Sequence, residues 1–162
     1  MAFIYKNLLT LLFLSSIMLK LQVGAKQTYE SYENNFYIIL SASKFFFNYR
    51  HSLNAIIFYQ YLKNKGISDD NILLMIPTDH ACSPRNIFPG TLYAHQDHTS
   101  NRVCEDVEVD YKAEDLTENA IMNMLRGRYE EHFPKSKRLL TNSESRIFIY
   151  WNGHGGENFF KI

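Results

Sequence analysis

Arg146-Ile147-Phe148-Ile149-Tyr150-Trp151-Asn152-Gly153-His154-Gly155-Gly156 decides how this chain is read. The run from Ile147 to Trp151 is apolar, β-branched and aromatic, which predicts a buried strand. It opens into a loop where three glycines clasp one histidine. In open α/β sheets chemistry gathers just past the carboxyl ends of the strands. Glycine there lets backbone N–H groups approach a substrate closely. His154 is therefore a candidate catalytic histidine in an oxyanion-binding loop. The competing reading is a glycine-rich turn that happens to hold a polar residue.

Working outward, Phe36-Tyr37-Ile38-Ile39-Leu40 and Asn71-Ile72-Leu73-Leu74-Met75-Ile76 are two more short apolar runs of the kind buried on both faces of a parallel sheet. Between them, Leu53, Ile56, Ile57 and Tyr61 suit an amphipathic helix over residues 50–65, with Gly66 as its C-cap. A second helix is announced by Thr117 as N-cap, with Leu116 and Ile121 placed for a hydrophobic staple. Its stripe is Ile121, Met124 and Leu125, and Gly127 ends it. Strand–helix–strand–helix–strand implies a parallel sheet covered by helices. The loops Ser43–Tyr49 and Asn152–Gly156 then share its carboxyl edge, which brings Asn48 towards His154. Residues 77 to about 112 hold three of the four prolines and little periodicity, and a loop that long is usually functional.

The 162 residues carry zero formal net charge, with 46% hydrophobic and 15% aromatic residues. That composition supports a domain with a real core and gives no support for a nucleic-acid partner. At the N-terminus, Lys6, the apolar run Leu8 to Leu14 and the small residues around Ala25 predict a signal peptide over residues 1–25, which directs the mature chain from Lys26 into the secretory pathway. In an oxidising lumen Cys82 and Cys104 can pair with each other, pair with another chain or stay free, and spacing does not choose among these.

Most other clusters carry bland readings. Asn48 can orient a catalytic histidine by a hydrogen bond or cap the helix that follows it, two compatible roles of which the pattern alone favours the cap. His95-Gln96-Asp97-His98 reads as a solvated loop. Glu105-Asp106-Val107-Glu108-Val109-Asp110 reads as an exposed strand with one charged face, although its carboxylates, with Asp69, are of the type that collects Ca²⁺. His51, His80 and His132 have no evident constellation.

Taken in order, Phe45-Phe46-Phe47-Asn48-Tyr49-Arg50-His51, Asp79-His80-Ala81-Cys82-Ser83-Pro84-Arg85-Asn86, Asp106-Val107-Glu108-Val109-Asp110-Tyr111, Ser136-Lys137-Arg138-Leu139-Leu140 and Gly153-His154-Gly155-Gly156 resemble the catalytic subunits of GPI-anchor transamidase. The likeness runs from about Asn34 to Lys161. The wider clan includes legumain and the caspases. Legumain-type asparaginyl endopeptidases carry Asp-His-Gly-Ser where this chain has Gly153-His154-Gly155-Gly156, and lack the Ser-Pro-Arg-Asn and Ser-Lys-Arg-Leu-Leu segments.

The resemblance implies a caspase-like α/β fold over residues 26–162, a parallel sheet with helices on both faces. It implies His154 as the catalytic histidine, Asn48 as the residue that positions it, and the N–H of Gly155 as an oxyanion donor. Cys82 would form a disulfide to another transamidase subunit. Asp69, Glu108 and Asp110 would hold a structural Ca²⁺, with no cofactor needed for catalysis. The reaction would join a proprotein bearing a C-terminal GPI signal to the amine of a GPI lipid, in the endoplasmic reticulum lumen. In this clan the nucleophilic cysteine follows the histidine on a later strand. The sequence reading therefore expects a chain cut short of that strand and inactive alone. The alternatives are a legumain-like endopeptidase or a non-catalytic form that binds the partner through Cys82.

Overall fold

The computed structural model describes residues 34–94, 100–102 and 107–161. The expected signal peptide, His95, His98, Cys104, Glu105 and Asp106 lie outside the described residues. A four-stranded, fully parallel sheet is the centre of the fold. It comprises β1 (Asn35–Ser41), β2 (Ile72–Ile76), β5 (Tyr111–Lys112) and β6 (Arg146–Asn152) in the order β5-β2-β1-β6. Two short antiparallel pairs accompany it, β3 (Thr91–Tyr93) with β4 (Ser100–Arg102), and β7 (Gly155–Gly156) with β8 (Phe159–Phe160). No helix among the described residues is long and apolar enough to cross a membrane.

Strand alternation sorts the two inner strands onto two cores. Ile39, Ile72, Leu74 and Ile76 face α1 (Tyr49–Asn64). Phe36, Ile38, Leu40, Leu73 and Met75 face α2 (Glu118–Leu125) together with Tyr111, Leu116 and Leu139. Because β1 and β2 are covered on both sides, Phe36–Leu40 and Ile72–Ile76 are apolar without alternation, which is why they lack an in–out pattern. The helix-on-both-faces architecture follows directly.

Both helices start and stop as their sequence signals indicate, but their buried stripes differ from expectation. In α1 the buried face is Ser52, Leu53, Ala55, Ile56, Tyr59 and Leu62, whereas Ile57 and Tyr61 point to solvent. The small residues Ser52 and Ala55 let the helix lie close on the sheet, and that choice rotates Ile57 and Tyr61 outward. Gly66 adopts φ +84°, and its N–H bonds the Lys63 carbonyl, closing the helix in left-handed backbone that glycine tolerates. In α2 the Thr117 hydroxyl accepts from the Ala120 N–H at 3.1 Å. Leu125 is exposed, so the apolar stripe is Ile121 and Met124 alone.

The deciding stretch is a strand, but not a buried one. β6 pairs with β1 in parallel from Asn35↔Arg146 to Ser41↔Asn152 and has no strand on its outer side among the described residues. Ile147, Phe148, Ile149 and Trp151 are correspondingly exposed. Residues 77–112 are also less loop-like than their prolines suggest, since β3, β4 and β5 fall within them.

The two strands should respond differently to truncation. Ile39→Ala, at a side chain 0% exposed, is expected to cost about 3 kcal/mol in urea unfolding. Ile147→Ala, 46% exposed, should cost under about 1 kcal/mol. Equal losses would contradict the edge position of β6.

Candidate active site

The parallel register of β1 and β6 sets the site. The Ala42 N–H donates to the Asn152 carbonyl at 2.9 Å, so the two strands end level and their following loops leave side by side. After β1 the chain makes a tight turn, Phe46–Asn48, entered through Phe45 at φ 71°, and passes into α1. After β6 it enters Gly153 at φ +149°. A Cβ on Gly153 would sit 3.1 Å from Ala42 Cβ, Ser43 Oγ and the Phe160 ring. Both the backbone angle and the crowding require glycine there.

Asn48 occupies the N-cap position of α1, yet its side chain makes no capping bond. Its Nδ2 donates to the Lys44 carbonyl at 2.7 Å, and its Oδ1 stands 2.8 Å from His154 Nε2. The capping role expected from pattern alone is therefore wrong, because both amide atoms are already engaged elsewhere. These two contacts also settle the proton. With Nδ2 spent on a carbonyl, Oδ1 can only accept, so Nε2 of His154 carries the hydrogen. The lone pair then lies on Nδ1. An exposed imidazole, tethered at one nitrogen with a free lone pair at the other, is the arrangement a general base requires.

Gly155 follows in β7. The Lys161 N–H donates to the His154 carbonyl at 2.9 Å, beside the Gly155↔Phe160 pair. That makes Gly155 and Phe160 a non-hydrogen-bonded pair of the antiparallel ladder, so the Gly155 N–H points away from it. A Cβ there would come 2.9 Å from the Phe159 carbonyl oxygen. The donor next to the base is thus turned outward on a backbone that only glycine fits.

Sequence reasoning missed His51. Its ring stands 5.1 Å from that of His154, edge to face at 77°. Its carbonyl accepts from Asn152 Nδ2 at 3.0 Å. The available signal was helical spacing, since Asn48 and His51 are one turn apart and share a face. His80 is also unexpectedly buried, packed on Phe46 and Tyr49, and burial lowers its pKa. His132 is exposed.

The acidic residues gather elsewhere, beside the far end of α1. Tyr59 donates to Asp69 Oδ1 at 2.7 Å, and the Glu108 N–H points to the same hydroxyl at 3.5 Å. Asp69 also pairs with Lys63 at 3.1 Å. Asp110 is buried and accepts from the Leu74 N–H at 2.8 Å, so it is not on an exposed charged face as its pattern suggests; Val107 and Val109 pack on the α1 core and Glu108 is exposed. Burial drives the Asp110 carboxyl up to about 7; the Leu74 N–H opposes this, and the charges of Glu108 and Asp69 reinforce it. Hard oxygen donors suit Ca²⁺, but among the described residues no three such groups converge on one point. Cys82 is exposed on the loop after β2, its N–H donates to Asp79 Oδ1 at 3.2 Å, and its sulfur is disulfide-bonded.

Residues 35–162 match the family model described as "Peptidase C13 family". The chain is 44% identical over 142 residues to a GPI-anchor transamidase of Schizosaccharomyces pombe, covering 88% of this chain and 37% of that protein. It is 42% identical over 145 residues to one of Saccharomyces cerevisiae, covering 86% and 35%. With one of Bos taurus it shares 41% over 157 residues, covering 96% and 40%. The chain thus spans between a third and two fifths of the length of these relatives.

Two measurements test the site. In ¹⁵N NMR, the neutral imidazole of His154 should be the Nε2–H tautomer, and Asn48→Ala should lose that preference. An unchanged tautomer would remove Asn48 from its positioning role. Asp110 has a folded pKa above its ordinary 3.8, so its stabilising contribution is full below that value and is lost as pH rises through about 7. Asp110→Asn should therefore gain about 2 kcal/mol over the wild type at pH 8 and little at pH 4. Parallel urea-unfolding profiles at the two pH values would refute the assignment.

Proposed function

The chain belongs to the peptidase C13 family, a family of the caspase-like clan, and on that premise we propose that it carries the histidine side of the catalytic centre of a GPI-anchor transamidase. The observation that carries this reading is the Asn48–His154 pair, joined across the carboxyl ends of β1 and β6 at 2.8 Å. The naming of the relatives, at 41–44% identity over most of the chain, supports the same choice.

In this proposal a cysteine thiol gives its proton to His154 Nδ1, and the thiolate attacks the carbonyl carbon at the attachment site of a proprotein. The Gly155 N–H takes the oxyanion. The C–N bond then breaks, His154 returns the proton to the leaving amine, and the proprotein remains as a thioester. The amine of a GPI lipid attacks that thioester, His154 removes the proton from the amine, and an amide forms as the thiol leaves. Asn48 keeps its hydrogen bond to Nε2 throughout, so the positive charge that develops on the ring stays beside a carbonyl dipole. Cys82, already in a disulfide, is not this nucleophile. The thiol would then be supplied from outside the described residues.

The remaining assignments belong to the same proposal. The setting is the endoplasmic reticulum lumen, as part of a multi-subunit complex. Cys82 would link to another subunit by exchange at its exposed loop, a thiolate of that subunit attacking the Cys82 sulfur and releasing its present disulfide partner as a thiol. Asp69, Glu108 and Asp110 would hold Ca²⁺ by drawing in around Tyr59, where the cation would offset the mutual repulsion that Asp110 now feels. Its contribution would be to the structure rather than to the acyl transfer.

The test uses the full-length protein in its complex, a proprotein with a C-terminal GPI signal, and a GPI lipid acceptor. His154→Ala should lower transfer by about 10³-fold, with proprotein binding retained. Full activity in that variant would end the proposal. Hydrolysis of soluble asparaginyl peptides with no amine acceptor would favour an endopeptidase instead. For the link, Cys82→Ser should abolish the reduction-sensitive covalent complex with a partner subunit. Persistence of that complex would exclude Cys82.

A further inference from the structure

We infer that His51 is a second positioning residue for His154, holding the imidazole plane that Asn48 alone leaves free to turn. The inference rests on the proposed role of His154 as base. One hydrogen bond from Nε2 to Asn48 Oδ1 fixes a point on the ring but not its plane, because the imidazole can swing about that contact. The edge-to-face packing of His51 at 5.1 Å and 77° blocks the swing.

The residue holds the loop twice. Its carbonyl accepts from Asn152 Nδ2 at 3.0 Å, two residues before His154, while its ring meets the imidazole itself. Asn48 and His51 are one turn apart at the start of α1, so both grips come from one rigid helical face. His51 Nε2 is buried and bonds to no protein group. The ring is therefore held by packing, and its shape rather than a relayed proton is what reaches His154.

Charge argues for the same role. The charged and titratable groups that bear on His51 are Arg50 on its own helix and His154 from the loop after β6. Burial, Arg50 and His154 all push the His51 pKa below its ordinary value. All three effects disfavour a second positive charge beside the imidazolium that forms on its neighbour.

The experiment measures transamidation kinetics of the full-length protein in its complex across pH 5–9, with His154→Ala and Asn48→Ala as references. His51→Ala should lower kcat about tenfold with the KM for proprotein unchanged, since misplacing a reacting group by a fraction of its bond distance has this scale of effect. His51→Phe keeps a ring edge without a titrating group. It should recover kcat to within about threefold of wild type and leave the shape of the kcat–pH profile unchanged, since the ring edge and not a proton is what acts. If KM rises and kcat does not, His51 touches substrate and the inference fails. It fails also if His51→Phe is as impaired as His51→Ala, or if both behave as wild type. Should His154→Ala itself retain activity, the reading of the site has failed rather than the role of His51.

Discussion

The parallel pairing of β1 with β6 is the contact on which the rest depends. Seven residue pairs, from Asn35↔Arg146 to Ser41↔Asn152, bring two distant segments into level register. A slip of one residue would reverse every side chain on β6 and displace the loop that follows by a strand step. The hydrogen bond from Ala42 to the Asn152 carbonyl extends the ladder past the sheet proper. It carries the register into the two loops, and the separation of Asn48 and His154 follows from it. Gly153 keeps the junction narrow, because a Cβ there would crowd Ala42, Ser43 and Phe160 at 3.1 Å on a backbone of φ +149°.

Much of this was legible in the chain itself. The three apolar runs, the caps at Thr117 and Gly66 and the strand–helix alternation were sufficient for a parallel sheet with helices on both faces. They were also sufficient to place residues 43–49 and 152–156 on one edge. Two kinds of detail escaped. A run such as Ile147–Trp151 reads the same whether a strand is central or at an edge, since neighbours decide its exposure rather than composition. Helix facing escaped because Ser52 and Ala55 win the buried face of α1 by being small, which hydrophobicity alone does not reveal.

The site divides in the same way. His154 stood out because glycines surround it. Asn48 could be placed near His154 from the shared sheet edge, but its own pattern favoured a cap, since its amide looks identical whether it satisfies a helix end or a remote imidazole. His51 was invisible because its partner lies more than a hundred residues away. Conversely, Asp110 seemed an ordinary surface carboxylate within an alternating run. Its burial comes from the pairing of its backbone with Leu74, which the carboxylate then repeats through the Leu74 N–H.

The separation of 106 residues between Asn48 and His154 has a temporal consequence. A chain that emerges N-terminus first can settle β1, α1 and β2 against one another early, because those contacts are local. The imidazole joins the amide only when β6 docks against a strand made long before, which is the costliest loop to close. The pair therefore forms only once β6 docks on β1, so the reactive group stays apart from its tether while β1, α1 and β2 come together.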